Sequence, residues 1–180
     1  MQYALAMHMA TLDPFKFSGA WYEVASYKAG FEPLSAYTCM DTRSLYEWDP
    51  DREEFDVRIQ CRHMDRKVSG IKAILKCPPV KDGNRSPNCS VRYPSAPYVQ
   101  PSLFRVLDTD YESWAFVEGA DDKSYVQFFS RYARPGNTFI EAKARMLRDW
   151  GYDPESLHLT PVTLEGEPQV QSSLEGYVKK

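Results

Sequence analysis

The sequence predicts an all-β protein: an eight-stranded antiparallel up-and-down barrel with one C-terminal α-helix packed outside. Short runs of alternating apolar and polar residues follow one another at close spacing, with turn residues between them. One stretch of helical periodicity follows the last run. Trp21 opens the first run and Arg131 closes the last. These two residues become neighbours if the sheet closes on itself, and the guanidinium can then lie over the indole and plug one end.

Eight runs show the alternation of half-buried strands. No internal repeat is evident, and the Asp108–Tyr111 segment has the composition of a hairpin turn. Short strands with regular turns favour a barrel or a sandwich over a parallel α/β sheet. The predicted strands span about residues 19–28, 37–48, 54–62, 67–77, 88–93, 102–109, 112–119 and 123–131.

The periodicity becomes helical after Pro135 and Gly136. Thr138 followed by Glu141 predicts a capping box, and Gly151 predicts the end of the helix. The result is one amphipathic helix of about three turns, laid on the outside of the sheet. We divide the chain into a leader or extension at residues 1–11, a barrel domain at 12–160 and a polar C-terminal tail at 161–180.

Composition excludes several classes of function. The 180 residues suit one domain, and a net charge of −3 without a Lys/Arg run excludes a nucleic-acid track. No apolar run approaches the ~18 residues of a membrane span, so we expect a protein that is peripheral to a membrane at most. The sequence holds no Cys-x-x-Cys, and its three histidines lie far from ligand spacing, so no metal site is predicted. No nucleophile–base–acid set or carboxylate pair has persuasive spacing, so we predict no catalytic residues.

The four cysteines are mirrored in pairs about two predicted turns, centred on Pro50 and Gly83. Residues that face each other across a hairpin have this spacing. A pairing centred on Ser69 is also open, as are free buried thiols. Disulfides would place the protein in an oxidising compartment. The favoured pairs are Cys39 with Cys61 and Cys77 with Cys89.

Arg131 must point inward to reach Trp21, and alternation then decides which neighbours also point inward. Small residues opposite large ones leave room for a ligand, so the sequence predicts a cup. A hairpin centred on Asp121 pairs Tyr125, Gln127 and Phe129 with Val117, Ala115 and Ser113.

The same parity, counted from Trp21, directs Glu23, Ala25 and Tyr27 inward. A carboxylate facing the interior needs a partner, so Glu23 either bonds to backbone near the plug or anchors a ligand head group. Aromatics filling a barrel that holds no ligand are the alternative. Phe31, in the loop after the first strand, is a candidate lid. The predicted ligand contacts are Tyr27, Phe31, Phe55, Val57, Ile59, Phe104, Val106, Ala115, Val117, Tyr125, Gln127 and Phe129.

Three short motifs carry a resemblance to a known family. Gly19-x-Trp21, the Thr109–Tyr111 turn and Arg131 resemble, in order, the three motifs of the lipocalins. The resemblance covers about residues 12–160 and implies a calycin barrel. It makes Gly19, Trp21, Asp110, Tyr111 and Arg131 the structural motif residues.

Longer matches resemble the plastid (chloroplastic) lipocalins, and the similarity to bacterial lipocalins and apolipoprotein D is more distant. The four cysteines lie where that plastid group has cysteines, although its additional cysteine in the second strand is absent. The matching segments are residues 17–26, 28–31, 69–71, 91–94 and 150–154.

The resemblance implies a carrier of a small hydrophobic ligand in the chloroplast thylakoid lumen, protecting membrane lipids or pigments. Candidate ligands are a carotenoid, a fatty acid or lipid peroxide, and a chlorophyll-type pigment, with no cofactor required. One alternative is a structural subunit docked on a photosystem or another membrane complex through the polar tail. Another is a xanthophyll-modifying enzyme, because the xanthophyll-cycle de-epoxidase has a lipocalin-like domain. A secreted protein is the alternative location.

Overall fold

The computed structural model describes residues 8–27, 39–63, 65–119 and 125–162. Within these ranges two α-helices accompany the strands, α1 at Pro14–Phe17 and α2 at Asn137–Asp149. The strands are β1 Gly19–Tyr27, β2 Met40–Asp49, β3 Glu54–Arg62, β4 Val68–Lys76, β5 Asn88–Arg92, β6 Ser102–Thr109, β7 Trp114–Glu118, β8 Val126–Ser130 and β9 Leu157–Leu159.

All strand pairings are antiparallel, in the order β2-β3-β4-β5-β6-β7-β8-β1-β9. The additional pairing of β1 with β2 closes eight strands into a ring, so the predicted barrel with one long helix outside is confirmed. The short β9 pairs with Ala25, Ser26 and Tyr27, beyond the part of β1 that pairs with β2, and the sequence analysis did not predict this strand.

The base of the barrel is filled from α1. Asp13 caps this helix by accepting the N–H groups of Phe15 and Lys16, and Pro14 occupies the first turn, where its missing N–H costs nothing. The helix directs Phe17 into the interior, where it is fully buried against Trp21 and Tyr46. The inner hydrophobic cluster is therefore centred on the base.

A second hydrophobic cluster lies outside the barrel, between the sheet and α2. Leu147 of α2 is fully buried there, and Phe116 and Phe128 pack at 4.9 Å between ring centroids. The predicted capping box is not formed, because α2 begins at Asn137 with Gly136 as its N-cap. Thr138 thus lies within the first turn, and tertiary packing rather than a side-chain cap positions the helix.

A β-bulge interrupts β1 and reverses its alternation. Glu23 pairs with Phe129, but Ala25 pairs with Phe128, so Val24 has no partner in this ladder. Beyond the bulge Ala25 and Tyr27 lie in the outer cluster. The predicted inward orientation of these two residues is therefore wrong, whereas Glu23, before the bulge, does face inward.

The β7–β8 register differs from the prediction by two residues. Ala115 pairs with Phe129 and Val117 with Gln127, so the hairpin is centred one position later than Asp121. Tyr125 consequently lies opposite Gly119, whose N–H donates to its carbonyl at 3.0 Å. A register shift of two residues keeps every side chain on its predicted face, so the β8 residues predicted to point inward still do so.

Both predicted disulfides are present, Cys39–Cys61 and Cys77–Cys89. The first joins the residue before β2 to the end of β3, and the second joins the segment after β4 to β5. Each therefore ties neighbouring strands of the ring. The predicted tail lies outside the described residues from position 163 onward, and the proposed domain limits stay predictions.

Candidate functional site

One end of the barrel is closed by an indole and a guanidinium. The centre of the Arg131 guanidinium lies 3.6 Å from the centroid of the Trp21 ring. Trp21 is fully buried, and its Nε1 donates to the carbonyl of Phe17 at 2.9 Å. Stacking at this distance combines a cation–π attraction with desolvation of the ring.

Arg131 also binds the chain that surrounds it. Its Nη1 donates to Ala20 O at 2.9 Å, and its Nη2 donates to Lys16 O and Ser18 O at 2.9 and 3.0 Å. Burial lowers the pKa of Arg131 to about 10, so the guanidinium stays charged at neutral pH. Gly19 has a φ of +104°, and a Cβ there would lie 3.0 Å from Nη1. Glycine is thus required both by the backbone and by the close approach.

The turn between β6 and β7 supports the same end. Asp110 accepts the N–H groups of Ser113 and Trp114 at 2.8 and 3.0 Å. Tyr111, with a positive φ of 65°, accepts the N–H of Asp13 on its hydroxyl at 3.0 Å and offers its carbonyl to Arg131 Nε at 3.0 Å. The motif residues therefore build one closed base from three distant parts of the chain.

Above this base the barrel encloses a cavity of about 360 Å³. Apolar side chains from β3, β4 and β6 form one side of it, and polar side chains from the neighbouring strands β8, β1 and β2 form much of the other. The cavity is therefore amphipathic. The lining residues are Glu23, Thr42, Ser44, Tyr46, Val57, Ile59, Ala73, Leu75, Val91, Tyr93, Ser102, Leu103, Phe104, Val117, Gly119, Tyr125, Gln127 and Phe129.

The structure brings together most of the predicted contact residues. Phe55, Val106 and Ala115 lie in the inner cluster but do not line the cavity. Tyr27 lies outside the barrel, where its hydroxyl donates to the carbonyl of Asp153. Phe31 lies outside the described residues. Those that line the cavity are Val57, Ile59, Phe104, Val117, Tyr125, Gln127 and Phe129.

Sequence reasoning missed several polar lining residues. Thr42, Ser44 and Tyr46 alternate along β2 and all face the cavity. Their period of two was a usable signal, but a polar stripe ordinarily marks the face exposed to solvent. Tyr93 and Ser102 flank the connection between β5 and β6 and carried no such signal.

A hydrogen-bond network holds the polar side of the cavity. Glu23 Oε2 accepts from Gln127 Nε2 at 2.7 Å, and Glu23 Oε1 accepts from Thr160 Oγ1 at 2.7 Å and Ser26 Oγ at 3.3 Å. Thr160 follows β9 and donates its N–H to Val24 O at 2.9 Å, beside the bulge. The carboxylate is thus held in place by side chains from three segments.

Gly119 makes room for the ring of Tyr125. A Cβ at Gly119 would lie 2.6 Å from a ring carbon of Tyr125. Burial first, and the charge of Glu23 second, raise the pKa of Tyr125. Burial likewise raises the pKa of Tyr46, which hydrogen-bonds with Ser44. Both phenols therefore stay neutral donors at neutral pH.

One group of possible metal-binding atoms occurs among the described residues. Atoms of Cys39, Cys61 and His63 lie within 4.8 Å of one another, but both sulfurs are joined in a disulfide and are not thiolate ligands. The His63 ring instead shares a hydrogen bond with Ser69 Oγ at 2.7 Å. Neither helix of the described chain is long and apolar enough to cross a membrane.

Comparison with known proteins places these features in a family. The sequence model of the family described as the lipocalin-like domain matches residues 12–162. The chain is 33% identical over 172 residues to the chloroplastic lipocalin of Arabidopsis thaliana, covering 88% of this chain and 49% of that protein. It is 23% identical over 158 residues to temperature-induced lipocalin-1 of the same plant, covering 83% of this chain and 79% of that protein. The chain thus spans about half the length of the first of these relatives.

Solved structures share the fold at low sequence identity. Lobster apocrustacyanin A1 superposes with a TM-score of 0.64 at 16% identity, covering 96% of this chain and 98% of that one. Insecticyanin from the tobacco hornworm Manduca sexta gives a TM-score of 0.65 at 16% identity, covering 88% and 85%. With its three motifs assembled at one end of a closed eight-stranded barrel, the chain belongs to the lipocalin-like family, whose members typically bind small hydrophobic ligands.

Proposed function

We propose that this protein carries one small hydrophobic ligand in the barrel cavity, without chemical turnover. The observation that carries the proposal is the cavity of about 360 Å³ above a closed base. Burying about 300 Å² of acyl-chain surface there would contribute roughly 7 kcal/mol before the entropic costs of binding. Cavities that hold small ligands typically measure ~300–1,000 Å³, so the volume lies near the lower end. This favours a lipid with a single chain over a carotenoid or a chlorophyll-type pigment.

We further propose a plastid location. The likeness to the chloroplastic lipocalin of Arabidopsis supports it. Two disulfides fit an oxidising compartment, which supports the thylakoid lumen within the plastid. Protection of membrane lipids or pigments would follow from removing a reactive lipid from the membrane. Docking on a photosystem stays a prediction, because residues 163–180 lie outside the described ranges.

Filling the cavity tests the carrier function. Ala73 lines the cavity from β4 and is buried, so Ala73→Trp should occupy the space that a ligand needs. Its neighbour Ile74 has the opposite orientation on the same strand, so Ile74→Trp is the matched control. We expect a fluorescent lipid probe to bind the wild type and Ile74→Trp, and to lose at least about tenfold affinity for Ala73→Trp. Solvent extraction of protein from its native source, followed by mass spectrometry and absorption spectroscopy, identifies the natural ligand.

Equal probe affinity in Ala73→Trp and the wild type would place the probe outside the barrel and refute the proposal. Circular dichroism of both variants checks that the barrel has formed. Visible absorption bands in the extract would favour a pigment over the colourless lipid that the volume favours.

A further inference from the structure

The polar wall of the cavity indicates which head group a ligand must have, an inference that rests on the proposed function. Glu23 is held against the cavity by Gln127, Thr160 and Ser26. These side chains come from β8, from the segment after β9 and from β1 beyond the bulge. Anchored from three directions, the carboxylate is a fixed feature of the wall.

Glu23 keeps one acceptor position for a ligand. An ionised carboxylate accepts about four hydrogen bonds, two on each oxygen. The described donors provide two bonds to Oε1 and one to Oε2. Within the described ranges, the second position on Oε2 is thus left for a donor inside the cavity.

Donors line the same space. Tyr46 and Tyr125 line the cavity, both lie within the electrostatic influence of Glu23, and their raised pKa values keep both phenols neutral at neutral pH. A phenol donates one hydrogen bond, and a ligand oxygen beside it can accept that bond. A hydroxyl group, which donates once and accepts, therefore matches both Glu23 and a neighbouring tyrosine.

The charge of the wall disfavours an anion. Among the described residues that line the cavity, Glu23 is the one charged side chain, and none is Lys, Arg or His. A fatty-acid carboxylate at this wall would meet a like charge beside the protein, where repulsion is screened less than in bulk water. It would also have no proton to donate to Oε2.

We propose that the cavity selects a neutral lipid carrying a hydroxyl group, with Glu23 as the residue that rejects free carboxylates. The ligand class is a long-chain alcohol or another hydroxylated chain, lying with its apolar part against β3, β4 and β6. Thr160 is a positioning residue, since it holds the carboxylate and does not line the cavity, whereas Gln127 both donates to Glu23 and lines the cavity.

Three ligands with the same chain length separate the effect of charge from the effect of hydrogen-bond donation: dodecanol, dodecanoate and dodecyl methyl ether. Each displaces a fluorescent lipid probe from the full chain at neutral pH. We expect dodecanol to bind about tenfold or more tightly than dodecanoate, because of the charge. We expect it to bind about tenfold more tightly than the ether, which has the oxygen but no donor.

Glu23→Gln removes the charge and keeps the shape. In this variant we expect dodecanoate to gain about tenfold and the preference for dodecanol to fall below about threefold. Glu47→Gln is the control, because Glu47 lies on the outer face of β2, paired with Arg58, and changes the net charge equally. The control should keep the wild-type preference.

The wild-type comparison decides the proposal even if Glu23→Gln does not fold. Dodecanoate binding as tightly as dodecanol would overturn the selection while leaving the carrier function intact. An unchanged preference in a folded Glu23→Gln variant would overturn the role of Glu23. Failure of all three chains to displace the probe would refute the carrier function, and this inference with it.

Discussion

Replacing Arg131 by lysine keeps a positive charge at the base of the barrel and removes the guanidinium. The fork of Arg131 donates to Tyr111 O, Ala20 O, Lys16 O and Ser18 O over 2.9–3.0 Å. One ammonium group cannot reach carbonyls arranged around a planar fork, so we expect at least two of these bonds to be lost. At about 1 kcal/mol of net stability each, this costs about 2 kcal/mol.

Loss of stacking on Trp21 adds to that cost. A guanidinium 3.6 Å from the indole centroid contributes about 0.5–2 kcal/mol, and a hydrated ammonium recovers only part of it. The sum predicts that Arg131→Lys lowers the free energy of unfolding by about 2–4 kcal/mol. The measurement is urea unfolding followed by tryptophan fluorescence with the disulfides oxidised.

Arg145→Lys on the exposed side of α2 is the control and should change stability by less than about 0.5 kcal/mol. A loss below about 0.5 kcal/mol in Arg131→Lys would show that charge alone closes the base. The fork geometry would then have no energetic role.

Three further changes test other parts of the fold. Tyr152→Phe removes the hydroxyl that donates to Glu118 at 2.8 Å beneath α2. The Glu118 carboxylate is only 2% exposed, so the loss of this donor should lower the free energy of unfolding by about 1–3 kcal/mol, measured by urea unfolding. An unchanged midpoint would mean that water replaces the phenol. Burial raises the pKa of Asp110, but hydrogen bonds from Ser113 and from backbone N–H groups outweigh it and hold the pKa below its ordinary value. Asp110 therefore stabilises the fold above about pH 4, and this contribution is lost as the pH falls through the lowered pKa, so Asp110→Asn should flatten the acid limb of stability against pH; an identical acid limb would contradict the assignment. Replacing Cys77 and Cys89 by serine opens a loop with a sequence separation of 12 and should cost about 3 kcal/mol by thermal or urea unfolding, and a variant of wild-type stability would contradict the cross-linking role.

The sequence predicted the barrel because its signals are local and repeated. Alternation, turn composition and the positions of Trp21 and Arg131 each point to the same closure. Symmetry about a turn explains Cys77–Cys89, because the β4–β5 register places these two cysteines opposite each other. Cys39–Cys61 is offset from the β2–β3 register, in which Met40 pairs with Arg62, so the same symmetry indicated this pair only approximately. These features need no knowledge of how side chains pack.

The errors arose where one residue changes the geometry. A bulge at Val24 adds one residue to β1, and no residue type marks it. The sequence prediction continued the alternation across the bulge and therefore placed Tyr27 on the wrong face. The β7–β8 register depends on the length of the turn, which alternation does not encode. A strand of three residues such as β9 is too short to show a period.

The cavity itself was predicted in part, for a physical reason. Apolar lining residues such as Val57 and Ile59 follow the rule that buried faces are hydrophobic. The polar lining breaks that rule, because Thr42 and Ser44 face an enclosed space and look in sequence like a solvated face. The apolar lining of such a cavity is therefore easier to predict from sequence than its polar lining.

The plug at the base recognises main-chain oxygens rather than side chains. The Arg131 guanidinium donates to the backbone carbonyls of residues 16, 18, 20 and 111, and every amino acid has such a carbonyl. These bonds therefore do not depend on the side chains at positions 16, 18 and 20, whereas Tyr111 also contributes its hydroxyl, which accepts from Asp13 N. A substitution at one of these three positions should therefore leave the carbonyl that Arg131 binds in place, as long as the local backbone path is kept.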